Sequence, residues 1–149
     1  MKTEIYDLEI TTDLMELLLT ADPDKKAVLA YLADSKLLVS RDKDKLAAVA
    51  VLVEQGGQFE LKNIAVSTEH QGQGVAKLMI ADIKRLAKDL GAKALWVGTG
   101  NSSLSQLALY QKCGFRMHEI ESGFFDSYPE PIFENGIRCI DMVRLRVEL

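Results

Sequence analysis

Between residues 63 and 76 the chain reads Asn63-Ile64-Ala65-Val66-Ser67-Thr68-Glu69-His70-Gln71-Gly72-Gln73-Gly74-Val75-Ala76. This is a β-rich run, then a glycine-rich turn, then the start of an amphipathic helix, an order suited to holding a phosphate. The first turn of a helix carries unpaired N–H groups and the positive end of the dipole, so an anion set there gains hydrogen bonds and field together. Gly72 and Gly74 lack the Cβ that would keep a ligand off the main chain. Two common nucleotide signatures fail on this segment. Lys77 stands where the third glycine of G-x-G-x-x-G belongs, and no GK[ST] follows.

What fits instead is Q-x-x-G-x-A, carried by Gln71, Gly74 and Ala76. It resembles the pyrophosphate-binding signature of the GCN5-related N-acetyltransferase (GNAT) superfamily. A second segment, Leu107-Ala108-Leu109-Tyr110-Gln111-Lys112-Cys113-Gly114-Phe115, is similar to that superfamily's Leu-Tyr-x-Lys-x-Gly-Phe ending, in the right order and separated from the first by a helix and a strand. The resemblance is strong over residues 58 to 116. It implies acetyl-CoA as co-substrate, no metal, and transfer of an acetyl group to a primary amine of a small molecule or peptide. A coenzyme A-binding sensor without turnover is the alternative within the same fold.

The resemblance also distributes roles. The pyrophosphate is expected on the N–H groups of Gln71, Gly72, Gln73, Gly74, Val75 and Ala76, with Ala76 in place of the commoner glycine. Backbone groups of Ile64, Ala65 and Val66 are expected to pair with the pantetheine amides like an added strand. Asn101 is expected to contact the pantetheine arm, with Ser103 or Ser105 sharing that contact. Tyr110 matches the tyrosine that protonates the departing thiolate. Glu60 lies eleven residues before Gln71, the spacing of a catalytic glutamate in histone-acetylating members, and is the candidate base, directly or through water. The structural reading of each is also open: a half-buried helix aromatic for Tyr110, a solvated strand residue for Glu60. His70 is read as a surface residue, and Asp126, Glu130 and Glu134 as substrate-site candidates on a loop.

The elements that must position these groups follow from periodicity. Residues 2–9 predict a strand, Thr12 or Asp13 the cap of a first helix, and Pro23 the first residue of a second. Two apolar runs around Arg41-Asp42-Lys43-Asp44-Lys45 predict a hairpin, and Gly56-Gly57 turns the chain into a strand over 59–66. Val75, Leu78, Met79, Ile83, Leu86, Ala87 and Leu90 form the apolar face of a helix closed by Gly91, with Lys77, Lys84 and Lys88 on a solvated face. Ala94 to Val97 predicts a buried strand parallel to that at 59–66. Asn101 is expected to cap the next helix, and strands at 115–121 and 138–147 are expected to flank an irregular loop over 127–136. The resulting fold class is α/β (α+β). It is a single domain over 1–149 with a mixed, mostly antiparallel sheet of six or seven strands, about four helices, and a central strand pair that splays, as in the GNAT fold.

Composition bounds the rest. The chain has 149 residues, 48% hydrophobic and 27% charged, with a formal charge of −4, so it is long enough for its own core and lacks the basic balance of a nucleic-acid binder. Cys113 and Cys139 show no metal or C-x-x-C spacing and predict free thiols. With no apolar leader or span, the expectation is a cytoplasmic protein without membrane or nucleic-acid partners. The resemblance admits a homodimer through the C-terminal strands.

Overall fold

The computed structural model describes residues 1–149. The elements in order are β1 (Lys2–Tyr6), α1 (Thr12–Ala21), α2 (Lys25–Leu32), β2 (Ser35–Asp42), β3 (Lys45–Gln55), β4 (Gln58–Val66), a 3-10 turn (Thr68–His70), α3 (Val75–Asp89), β5 (Ala94–Gly100), α4 (Leu104–Lys112), β6 (Arg116–Glu121), β7 (Phe133–Glu134), β8 (Ile137–Arg138) and β9 (Met142–Glu148). Seven strands form one sheet in the order β1-β2-β3-β4-β5-β9-β6, and β7 and β8 form a separate hairpin. Only β4 and β5 run parallel. A helix joins them, as a parallel crossover requires.

Each face of the sheet has its own core. Leu14, Leu17 and Leu18 of α1 and Val28 of α2 close over Leu37, Val39, Val49, Val51 and Ala65. On the other face Met79, Ile80, Ile83 and Ala87 of α3 cover Leu38, Ala48, Ala50, Leu52, Phe59, Leu61, Leu95 and Val97. The alternation of β2 and β3 between the two clusters is the period-two rule of a strand buried on both sides. Each fully buried Leu in these layers contributes about 1.5–3 kcal/mol over its exposed state.

Strand β4 departs from strict alternation, and this bears on the site. Val51 pairs with Asn63 but Leu52 pairs with Leu61, so Lys62 is an extra residue, a bulge. Upstream of it Phe59 and Leu61 face α3; beyond it Ala65 faces α1 while Ile64 and Val66 pack on the α3 side. A bulge bends its strand, and β4 turns away from β5 immediately after it.

Several element boundaries differ from the sequence reading. β1 ends at Tyr6 rather than residue 9, because its pairing with β2 stops at Leu37. Thr11 caps α1, accepting from Leu14 N, and Asp24 caps α2, accepting from Ala27 N at 3.2 Å, which leaves Pro23 just outside the helix. The loop over 127–136 holds the β7–β8 hairpin, turned by Asn135 (φ 56°) and Gly136 (φ 73°). Asn-Gly is the sequence that two consecutive positive φ angles select. Lys84 is not simply solvated: its ammonium reaches the Cys113 carbonyl oxygen and lies 5.6 Å from the Phe115 ring centre, tying α3 to the end of α4.

Candidate active site

The parallel pairing of β4 with β5 spans only Phe59–Leu95, Glu60–Trp96 and Leu61–Val97. Beyond it β4 continues to Val66, paired on its other edge with β3, and β5 continues to Gly100, paired on its other edge with β9. The facing edges from Lys62 to Val66 and from Gly98 to Gly100 thus diverge with their N–H and C=O groups unpaired to one another. A wedge between two strand edges that no longer pair with one another is a slot for an extended amide-bearing chain, which adds to an edge as a strand does. Ile64, Ala65 and Val66 line its β4 side.

At the end of β4 the chain makes the 3-10 turn and then the segment Gln71-Gly72-Gln73-Gly74, exposed throughout. Gly74 sits at the N-cap of α3 with φ 79° and ψ 10°, and no side chain caps the helix. The first N–H groups of a 15-residue helix are therefore left to an external acceptor. A Cβ built on Gly72 or Gly74 meets no atom within 4 Å, so the ground above the turn is open. Gln71 and Gln73 fold their amides back, Nε2 of Gln71 donating to Val66 O at 3.1 Å and Nε2 of Gln73 to Glu69 O at 3.2 Å. Both side chains brace the turn, and the Gln71 N–H also donates, to Thr68 O at 3.5 Å.

His70 is not a surface residue. It is 6% exposed, with Nδ1 2.6 Å from Ser67 Oγ and Nε2 3.1 Å from Asp42 Oδ2. A polar ring is buried at little cost when both nitrogens find partners, and neither partner adjoins it in sequence.

Asn101 does not cap α4. Its Oδ1 accepts from Ile140 N at 2.8 Å and Asp141 N at 3.0 Å, and its Nδ2 donates to Arg138 O at 3.1 Å. These three backbone partners hold the strand returning into β9, and α4 starts at Leu104 with Ser103 at the N-cap. Ser103 donates to Glu134 Oε1 at 2.9 Å and Ser102 to the same oxygen at 3.0 Å, while Ser105 bonds only Gln106. Glu134 therefore fastens the β7–β8 hairpin to the start of α4, whereas Asp126 and Glu130 remain exposed.

Tyr110, on α4, is 5% exposed and belongs to the buried cluster that holds Val75 and Val97. Its ring packs edge-on against Phe115 at 5.9 Å. Burial, and to a lesser degree Cys113, pushes the phenol up to about 12. It stays protonated at any ordinary pH and is a donor.

Glu60 lies on the sheet face opposite α3, its side chain 25% exposed. Lys62 Nζ is 3.6 Å and Arg144 Nη1 3.7 Å from its carboxylate. Arg144 reaches it across β5 from β9, where its register partner is Gly98, and also holds Glu121 at 3.1 Å and Glu119 at 3.8 Å. Alongside, Asn63 donates to Leu18 O at 3.1 Å and to Tyr31 Oη at 2.9 Å, while its Oδ1 is buried without a partner. Tyr31 in turn reaches Asp22 at 3.2 Å, and burial first, then Asp22, push it up to about 12 against the Asn63 hydrogen bond. Arg144, Asn63 and Tyr31 escaped the sequence reading. The available signals were an arginine alternating with apolar residues in β9 and a lone Asn inside a β-run.

No group of three His, Cys, Asp or Glu side chains is placed to hold a metal ion, and no helix is long and apolar enough to cross a membrane. Both cysteines are free.

A sheet opened at one parallel pair, beside an uncapped helix behind a Gly-x-Gly turn, defines a class of protein, and comparison with known proteins gives the same class. The model of the acetyltransferase (GNAT) family matches residues 3–115. The uncharacterized N-acetyltransferase YvbK of Bacillus subtilis (strain 168) is 47% identical over 143 residues, 95% of this chain and 92% of that protein. A Bacillus subtilis acetyltransferase solved in complex with CoA superposes with a TM-score of 0.94 at 45% identity, covering 99% of each chain. A GNAT acetyltransferase of Elizabethkingia anophelis with acetyl-CoA bound gives 0.92 at 41%, covering 99% of this chain and 98% of that one. The chain belongs to the GNAT family and is an acetyltransferase.

Proposed function

We propose that this acetyltransferase moves the acetyl group of acetyl-CoA to a primary amine of a small molecule or peptide, by direct attack while both are bound. The observation that carries this reading is the divergence of β4 from β5 after three paired residues, next to the uncapped N-terminus of α3. The wedge accommodates a pantetheine arm on Ile64, Ala65 and Val66, and the turn from Gln71 to Ala76 accommodates a pyrophosphate. Acetyl-CoA supplies an activated thioester. Relatives solved with CoA and acetyl-CoA, at 45% and 41% identity, support the same choice of co-substrate.

The residues then divide the reaction among them. A backbone N–H of the free β4 edge donates to the thioester oxygen as negative charge builds on it. Glu60, directly or through a water, takes the proton that the attacking amine releases as its C–N bond forms. Tyr110 donates a hydrogen bond to the sulfur as the C–S bond breaks. With its pKa near 12 against about 8.5 for an ordinary thiol, the phenol stabilises the thiolate by hydrogen bonding more than by complete proton transfer. Asn101 and Ser103 contribute by shaping the open end of β5.

The test is release of free coenzyme A from acetyl-CoA over a panel of amines, polyamines, amino acids, aminoglycosides and peptide N-termini. Turnover on a primary amine, with the acetyl group recovered on nitrogen, supports the reading. Tight acetyl-CoA binding with no acceptor-dependent release across the panel would contradict it.

A further inference from the structure

One buried titratable side chain lies next to the site and takes no part in the chemistry above. His70 links Ser67 Oγ, 2.6 Å from Nδ1, to Asp42 Oδ2, 3.1 Å from Nε2. An ionised carboxylate can only accept, so Nε2 carries the hydrogen, and in the neutral ring Nδ1 accepts from the Ser67 hydroxyl. The hydrogen bond from His70 is also the main cause that holds the Asp42 carboxyl below its usual range. The chain of bonds therefore runs from the end of β2, through a ring that is 6% exposed, to the first residue after β4.

Downstream of that ring the turn is tied to its own neighbours: Gln71 N donates to Thr68 O at 3.5 Å, Gln71 Nε2 to Val66 O at 3.1 Å and Gln73 Nε2 to Glu69 O at 3.2 Å. Residues 71–74 are exposed, and Gly72 and Gly74 both sit at positive φ, 74° and 79°. Upstream the turn is tied down: Ser67 N donates to Ala47 O at 2.8 Å and His70 N to Ser67 O at 2.9 Å. The Lys45–Glu69 ion pair at 3.4 Å is exposed on both sides and adds little. His70 is thus the one buried side chain that joins the β2–β3 hairpin to the segment entering the glycine turn.

We propose that the Ser67–His70–Asp42 hydrogen-bond chain positions the pyrophosphate turn, fixing residues 67–70 against the hairpin so that the N–H groups of Gln71 to Ala76 are set for acetyl-CoA before it binds. His70 is a positioning residue and touches no reacting atom. The inference rests on the cofactor reading above. A preset turn loses less conformational freedom when the ligand arrives, so the effect belongs in affinity and not in the chemical step.

The experiment measures acetyl-CoA affinity by calorimetry on the full chain, with kcat and the two KM values on an acceptor from the amine panel. His70→Ala is expected to raise the Kd and KM for acetyl-CoA by about tenfold, with kcat at saturation and the acceptor KM within about twofold of wild type. His70→Gln, whose amide can accept from Ser67 and donate to Asp42, should recover most of the affinity. Asp42→Ala removes one anchor with an exposed side chain, leaves no cavity, and should raise the Kd by about threefold; it decides the matter if His70→Ala does not fold. Wild-type affinity in Asp42→Ala and in folded His70→Ala would overturn the inference while leaving the cofactor reading intact. So would a loss spread equally over kcat and both KM values. No acetyl-CoA binding by the wild-type chain would overturn the cofactor reading and this inference with it.

Discussion

The two sides of the candidate site are built from different material. The proposed cofactor side is main chain: the unpaired edges of β4 and β5, the two positive-φ glycines of the turn, and the uncapped first turn of α3. The sheet face that carries Glu60 is side chain: Glu60 held between Lys62 and Arg144, Arg144 shared with Glu119 and Glu121, and Asn63 bridging Leu18 and Tyr31. A constant ligand such as acetyl-CoA can be read by backbone groups that every sequence supplies, provided glycine and a bulge put them in place. With Glu60 as the proposed base, the acceptor amine would meet these side chains, which can change without disturbing the sheet. The contrast predicts that changes on the first side act on cofactor affinity, and changes on the second act on turnover.

The largest effect is expected at Tyr110. Tyr110→Phe keeps the buried ring and its contact with Phe115 but deletes the donor, so acetyl-CoA should still bind while turnover falls by about 10²-fold. Steady-state kinetics beside calorimetry checks this, and full turnover in the Phe variant removes Tyr110 from the mechanism. Next is Glu60→Gln, which should lower kcat by about 10- to 10²-fold with cofactor affinity unchanged, since water can take over part of the proton transfer. A full rate across the pH range would make water the base.

On the backbone side, Gly74→Val puts a β-branched residue at φ 79° and a side chain into the space above the turn. Acetyl-CoA affinity should fall by at least about tenfold, or about 1.4 kcal/mol, while kcat at saturation holds. Equal losses in both quantities would erase the division between the two sides. The smallest effect concerns stability. Tyr31 and Tyr110 are both pushed up to about 12, against 10.0 in the unfolded chain, so the folded state keeps protons that the unfolded state gives up between those values. The stabilisation is complete below pH 10 and is lost as the pH rises toward 12. Melting temperatures of wild type, Tyr31→Phe and Tyr110→Phe across that window should show a shallower fall in each variant.

The same division explains what could be read from the sequence. The Gly turn, the amphipathic α3 and the parallel β4–β5 crossover are local patterns, and each is found where its residues predict. Asn101 is different: a helix cap is the local reading, but its amide finds three partners 37 to 40 residues away, around the turn into β9. His70 is hydrogen-bonded to Asp42, 28 residues upstream, and Glu60 is met by Arg144 across an intervening strand. Such contacts depend on register, which a single chain of letters does not display. The β7–β8 hairpin was legible, since Asn135-Gly136 is a strong hairpin turn, but the surrounding prolines favoured an irregular loop.

A cofactor site made of backbone can be read directly by amide NMR. In a titration of ¹⁵N-labelled protein with acetyl-CoA, the amides of Ile64, Ala65 and Val66 and those from Gln71 to Ala76 should show the largest shift changes. The N–H signals of the α3 first turn should move downfield as they bond the pyrophosphate. Saturable binding with these amides unmoved, and the large changes on another surface, would contradict that cofactor site.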